Sequence, residues 1–231
     1  MRGIIMFLGA LLAGGLMAGS GCAQGPPEGV STQVIPLPPP ELLGEVSVEE
    51  ALARRRSRRD FSGEELGLRQ ISQLLWAAQG ITDEGLRLRS APSAGATYPL
   101  EVLIVVGSGG ALDPGIYRFL PSDHGLQPES PGDRRAEVAA AALDQGWIAD
   151  APVVMILAAD ISRTAARYGD RARRYVHMEV GHAAQNVYLQ AEALNLATTV
   201  VGAFRDGELA ELLGLPAEEE PLAILPVGHV R

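Results

Sequence analysis

Apolar and polar positions alternate along this chain in short, unevenly spaced segments. Leu68, Ile71, Leu74, Leu75 and Ala78 recur at helical spacing between Gly67 and Gly80, which predicts a helix stopped by the second glycine. Ser47 followed by Glu50 reads as a capping box opening a shorter helix through Ala51 and Leu52. Glu101–Gly107 and Pro152–Ala159 are continuous apolar runs of strand length, the pattern of buried central strands. Between them, Asp113-Pro114-Gly115 and Ser122-Asp123-His124-Gly125 are turn sequences. They lead into Gly115–Leu120 and Gly125–Ser130, which together predict a hairpin. Arg134–Leu143 is Ala-rich and helical, and Arg171–Leu196 is the longest helical pattern. Ala197–Ala203 reads as a strand, Asp206–Leu213 as a short helix and Pro221–Gly228 as a last strand. Helices and strands mix without regular alternation, so the expected class is α+β rather than a doubly wound sheet.

The N-terminal region follows a different pattern. Arg2 precedes the apolar run IIMFLGALLAGGLMAG and the small residues Ser20-Gly21, and then comes Cys22, the only cysteine. Residues 1–22 therefore read as a signal peptide, too short in its apolar part to be a spanning helix. Cys22 resembles the acylation site of a bacterial lipoprotein, although Gly19 stands where that motif usually has Leu. The expectation is an exported, membrane-anchored lipoprotein of the cell envelope, the alternative an ordinary cleaved signal and a periplasmic or secreted protein. A lone Cys allows no internal disulfide, so the core must supply the stability. Residues 23–46 are rich in Pro and Gly and read as a tether, leaving 47–231 as one globular domain. The chain is 47% apolar, enough for a core, and its net charge of −9 argues against nucleic acid as a partner.

Three segments carry candidate chemistry. In SAPSAGATYPLEV (90–102), prolines fix the backbone while small residues leave N–H groups uncovered. This is either a wall for a flat ligand or a strand-entry loop. Arg54, Arg55, Arg56, Arg58 and Arg59 cluster around Ser57 in an otherwise acidic chain. Guanidinium forks suit phosphate oxygens. A solvated helix end and an anionic lipid contact are the other readings. The long helix has apolar surface on more than one side, as at a subunit interface, with Glu179, His182, Gln185 and Asn186 as a polar group within it. His177 and His182 are five apart, the wrong offset for two ligands on one helical face, and no HExxH occurs, so no metal site is expected. His182 reads as a core histidine. Gly202-Ala203 after the following strand again offers close backbone approach.

Taken in order, these segments resemble the nitroreductase superfamily, and most closely its SagB-type dehydrogenase branch. The resemblance lies in RRSRRDFS (55–62), PSAGATYPLEV (92–102), GIYRFLPSDHGLQP (115–128), EVGHAAQNVYLQAEALNL (179–196) with VVGAF after it, and PLAILPVGHVR (221–231). It implies a mixed or antiparallel central sheet flanked by helices, a long dimer-interface helix, and FMN held between the subunits of a homodimer. By residue, Arg55, Arg56, Ser57 and Arg59 would contact the phosphate or ring edge. Pro92, Ser93, Ala94 and Gly95 would cover the ring, and Gly202 and Ala203 would approach its other side. His229 or Arg231 would stand in for a basic C-terminal residue. Azoline-oxidising members of the branch use a Lys-Tyr pair, whose nearest counterpart here is Arg167-Tyr168. Arg is a poor general base, which leaves Tyr168 as the candidate catalytic side chain or a packed aromatic. The implied function is two-electron transfer through FMN to or from a small organic or peptide substrate. A flavin-binding carrier or sensor without turnover, a lipoprotein that has lost the cofactor, and a peptide-azoline oxidase are the rivals.

Overall fold

A computed structural model describes residues 33–231, so the signal-peptide and Cys22 readings lie outside the described residues. The order of elements is β1 (Ile35–Pro36), α1 (Val48–Arg54), α2 (Leu68–Gln79), β2 (Ile81–Asp83), β3 (Leu88–Arg89), β4 (Leu100–Val106), β5 (Gly115–Leu120), β6 (Gly125–Pro131), α3 (Arg135–Ala141), β7 (Val153–Asp160), α4 (Ile161–Tyr168), α5 (Ala172–Ala193), β8 (Leu196–Thr198), α6 (Asp206–Leu213) and β9 (Glu219–His229). Seven strands form one sheet in the order β1-β6-β5-β4-β7-β9-β8, and β2-β3 is a separate hairpin. Every pairing among these strands is antiparallel, so of the two expected sheet types the mixed one is not what forms.

The continuous apolar runs make β4 and β7 central strands buried on both faces. Val102, Ile104 and Val106 of β4 and Met155 and Leu157 of β7 enter one core layer, which α2 and α5 cover. Leu103, Val105, Val154 and Ile156 enter the other layer, with Val138 of α3 and Leu209 of α6. The alternation of side chains in a strand thus builds two cores from one sheet. α6 covers the expected residues and ends on Gly214 in the left-handed region, φ 64°.

Some expectations shift. Ser47 Oγ accepts the Glu50 N–H at 3.1 Å, but the Glu50 carboxylate pairs with Arg54 instead of reaching back, so the capping box is half formed. The strand expected over Ala197–Ala203 stops at Thr198, leaving only a bridge from Val201 to Ile224. The Val200 N–H instead donates to Tyr188 Oη at 2.9 Å, which takes that residue out of the ladder. Part of the segment read as a tether is docked: Ile35 and Pro36 pair with Leu126 and Gly125, and Leu37 enters the core. The Pro38 carbonyl accepts from Ser72 Oγ at 2.6 Å and lies 2.9 Å from His124 Nε2, and the Gln73 amide brackets the backbone of Glu41. Prolines are tolerated there because this is an edge strand.

Candidate functional site

α5 organises the site. α1 ends where Arg55 turns extended, with ψ 126°, and the chain then runs past the end of β8. The Arg58 N–H donates to Thr198 O at 3.0 Å, and Phe61 bridges Val230. The five arginines are not equivalent. Arg54 pairs with Glu50, and Arg58 lies 2.7 Å from Glu192 of α5. Arg55 lies over the Tyr188 ring at 5.1 Å, Arg59 over the Trp147 ring at 5.6 Å, and Arg56 donates to the carbonyls of Ala53 and Arg55. These three guanidiniums meet no carboxylate among the described residues. Three uncompensated cations side by side in an acidic chain fit an anionic ligand.

Tyr188 joins this segment to the rest of the site. Its Oη lies 3.0 Å from Ser57 Oγ and 3.3 Å from Thr199 Oγ1, and accepts the Val200 N–H. Burial alone would raise its pKa. The hydrogen bonds it shares with Ser57 and Thr199 and receives from Val200, with the nearby Arg55 cation, outweigh burial and leave the phenol below its ordinary range. The chain from Val200 continues into Gly202 and Ala203, both exposed. A Cβ added at Gly202 would meet nothing within 4 Å. Gln145 Nε2 donates to Ala203 O at 3.3 Å, two residues from the Trp147 under Arg59. Arg55, Ser57, Arg59, Gly202 and Ala203 therefore gather around Tyr188 and Trp147.

The small-residue loop is built at another face of α5. The Tyr98 N–H donates to Ser93 Oγ at 2.9 Å, closing the loop on itself. Inside it Gly95, Ala96 and Tyr98 all have positive φ, of 62°, 54° and 44°. Pro92, Gly95 and Ala96 are exposed, which leaves a small, open surface. Arg167 Nη1 donates to Gly95 O at 3.1 Å, and Tyr168 stacks edge-on with Tyr175. A Cβ at Gly95 would come 2.6 Å from Tyr168 Oη and 2.9 Å from Arg167 Cδ, so that side of Gly95 is covered by the protein itself. Arg167 and Tyr168 thus lie against the loop. Asn186 Nδ2 holds the loop's start through Ser90 O at 3.2 Å.

Beneath the loop lies Glu179, only 2% exposed, with Ser93 as its hydrogen-bonding neighbour. Its Oε1 finds no hydrogen-bond partner among the described residues. Desolvation raises its pKa to about 7, against the smaller opposing effects of the Ser93 bond and the Arg89 charge.

Helix geometry relates the two halves. At about 100° per residue, Asn186 and Tyr188 point roughly 160° apart, and Glu179 and Tyr188 point to opposite sides. Glu179 and Asn186 serve the loop, while Tyr188 and Glu192 serve the arginine segment. One chain therefore does not bring Pro92–Gly95 onto the arginine cluster. His229 lies opposite Leu196, with its ring 3.5 Å from Gln70, and Arg231 pairs with Asp60 at 3.0 Å. His182 is exposed, so the core-histidine expectation is corrected: the helical phase that buries Glu179 and Ala183 turns His182 outward. A cavity of about 780 Å³ between residues 41–48, α2 and α5 is lined by Trp76, Gln73, Ser90 and Asn186, and by none of the expected cofactor residues.

Tyr188 and Trp147 were not singled out by the sequence pattern. Tyr188 and Glu192 do stand four apart on one helical face, a polar pair that complements a run of arginines.

The nitroreductase family profile matches residues 52–229. A nitroreductase-type protein of Methanocaldococcus jannaschii is 46% identical over 187 residues, covering 81% of this chain and 93% of that protein. The Escherichia coli microcin B17-processing protein McbC is 25% identical over 171 residues, covering 71% of this chain and 63% of its own length. Among solved structures, a nitroreductase-type protein of Ralstonia eutropha superposes with TM-score 0.76 at 27% identity, covering 86% of this chain and 90% of that one. The fold and the family profile agree over most of the described residues: the chain belongs to the nitroreductase family, whose members are generally flavin oxidoreductases.

Proposed function

We propose that this nitroreductase-family oxidoreductase is an FMN-dependent enzyme of the SagB type that works as a homodimer, its site completed by two copies of the chain. The observation that carries the proposal is the division of labour on α5. The arginine segment packs on the Tyr188 face and the small-residue loop on the Glu179 and Asn186 face, so a ligand touching both in one place takes them from different copies. The residues fit the group. Among the described residues Arg55, Arg56 and Arg59 have no carboxylate partner, Ser57 adds a hydroxyl, and Pro92, Ser93, Ala94 and Gly95 offer small, partly open surface. Gly202 and Ala203 leave the other approach uncrowded, and His229 stands near the chain end. FMN supplies two-electron hydride chemistry when bound. The chain contributes cations for the phosphate, small walls for the ring, and an open face that a donor and then an acceptor occupy in turn.

Export and a lipid anchor on Cys22 belong to the same proposal, resting on the N-terminal sequence alone. Outside the cytoplasm NAD(P)H is not expected, so the physiological donor would be another two-electron reductant. An anaerobic titration with NADH checks this: slow reduction only at high concentration is expected, and rapid reduction at low concentration would refute it. The absorbance spectrum of purified protein, followed by release of the bound flavin, tests the cofactor. FMN near one per chain is expected, and a colourless protein that takes up no added FMN would refute it.

A peptide-azoline oxidase is the second reading. It is favoured by the contact of Arg167 and Tyr168 with the loop at Gly95 and by the likeness to the microcin B17-processing protein. Arg167→Lys should then raise azole formation and Tyr168→Phe should lower it. A flavin-loaded protein inert toward nitroaromatics, quinones and azoline peptides would instead be a carrier or sensor.

A further inference from the structure

The cavity of about 780 Å³ between residues 41–48, α2 and α5 is used by nothing in the proposed flavin chemistry. It has the size of a small-molecule site. We propose that it is a second binding site, for a flat, uncharged molecule with an apolar body and a carboxamide-type polar edge.

A strap fixed at both ends makes the cavity. Gln73 accepts the Glu41 N–H at 2.8 Å and donates to Glu41 O at 3.0 Å, which ties one end to α2. At the other end α1 packs on α5 and buries Ala51. Between these anchors Leu42 is 74% and Leu43 92% exposed, so the strap spans the space without filling it. Ala77 of α2 and Leu189 and Ala193 of α5 give a small, apolar lining. Trp76 adds a half-buried aromatic surface. Its ring lies against Gly80, where an added Cβ would come 2.6 Å from Cγ, so the glycine leaves the indole its place.

The polar groups left over on the lining define the ligand's edge. Gln190 Oε1 accepts from Gln73 at 3.2 Å, while its own amide N–H groups have no partner among the described residues. Asn186 donates to Ser90 O at 3.2 Å and keeps Oδ1 free of any protein donor among them. The Trp76 indole N–H likewise meets no acceptor there. Two donors and one acceptor suit a carboxamide, whose oxygen accepts and whose nitrogen donates. No arginine lines the cavity, the chain has no lysine, and Glu41 and Glu45 stand exposed on the strap. An anion would meet two carboxylates and no cation, and any full charge against the lining would be desolvated with only amides and an indole to meet it.

The cavity is separate from the arginine segment. At about 100° per residue, Asn186, Gln190 and Ala193 fall within about 60° of one another on α5, and Tyr188 points to the opposite side.

The chain has two tryptophans, Trp76 and Trp147, so two indole N–H resonances report the cavity and the arginine segment separately. The test titrates the full chain with 2-naphthamide and, in parallel, with 2-naphthoate, which has the same body and a negative charge. ¹⁵N-resolved NMR follows both resonances, assigned with Trp76→Phe. The amide alone should shift the Trp76 indole saturably and leave Trp147 unmoved. Gln190→Leu should raise the apparent Kd by roughly threefold to tenfold. Gln73 keeps both bonds to Glu41 in that variant, so the strap stays tied. No saturable shift at Trp76, an equal response to 2-naphthoate, a shift at Trp147 alone, or an unchanged Kd in Gln190→Leu would overturn the proposal. Repeated with FMN in excess, the Trp76 shift should persist, and its loss would overturn the claim of a second site. The titration without flavin stands by itself: if the chain takes up no FMN, the flavin reading fails and the cavity's ligand does not.

Discussion

Tyr188 Oη lies 3.0 Å from Ser57 Oγ, joining the C-terminal third of α5 to a serine 131 residues away in the chain. The same oxygen accepts the Val200 N–H that β9 does not take. Removing it in Tyr188→Phe leaves Ser57, Thr199 and the Val200 N–H short of a partner in a half-buried place. The expected cost is about 1 kcal/mol in chemical denaturation. FMN affinity should also fall, measured by flavin fluorescence quenching, because Ser57 loses the phenol that holds it, although the ring under Arg55 is kept. Unchanged stability and unchanged affinity would show that Tyr188 is not the hub described here.

The fold was largely legible because its signals are local. The helical spacing of Leu68 to Ala78 and the apolar runs of β4 and β7 each report a burial pattern that one segment carries by itself. α6 was legible to its ends. The docking of Ile35–Leu37 was not, since its prolines suggest an extended tether and the edge it pairs with lies about 90 residues away. In the site, the arginine segment and the loop were visible as unusual composition. Their placement around α5 was not, because helical phase assigns Tyr188 and Asn186 to different faces only once partners are known. Burial misled in both directions, hiding Glu179 and exposing His182.

Gly95→Val probes the loop as a ring wall. With φ at 62° and the added carbon aimed at Tyr168 Oη and Arg167, the substitution should destabilise the protein by roughly 1–3 kcal/mol before any ligand is considered. Thermal unfolding without flavin checks this. An unchanged midpoint would mean that the Arg167–Tyr168 contact gives way freely.

Stability should depend on Glu179 with a definite sign. Its folded pKa, about 7, lies above the ordinary 4.5, so the unfolded chain releases the proton first as pH rises. The contribution is fully present below pH 4.5 and is lost as pH rises toward 7. Glu179→Gln removes this loss, so at about pH 8 it should be more stable than the parent by about 2 kcal/mol, with the difference shrinking at about pH 5. Denaturation midpoints at the two pH values check it, and a constant difference would contradict the assignment.

Arg118 tests the packing of the sheet apart from the site. It lies within 3.4 Å of Glu101, 3.1 Å of Glu129 and 3.0 Å of Glu219 and is largely buried. Arg118→Met leaves these carboxylates facing one another and should cost about 3–5 kcal/mol in urea unfolding. A cost under about 1 kcal/mol would show that the cluster is solvated as a surface pair would be.

The central claim is that two copies of the chain complete one flavin site, the arginine segment from one and the Ser93 loop from the other. Native mass spectrometry of the purified full chain, titrated with FMN, tests it most directly. The expected result is a dimer that gains FMN up to two per dimer, with no flavin on the monomer. A monomer that binds FMN, or a dimer that binds none, would contradict it.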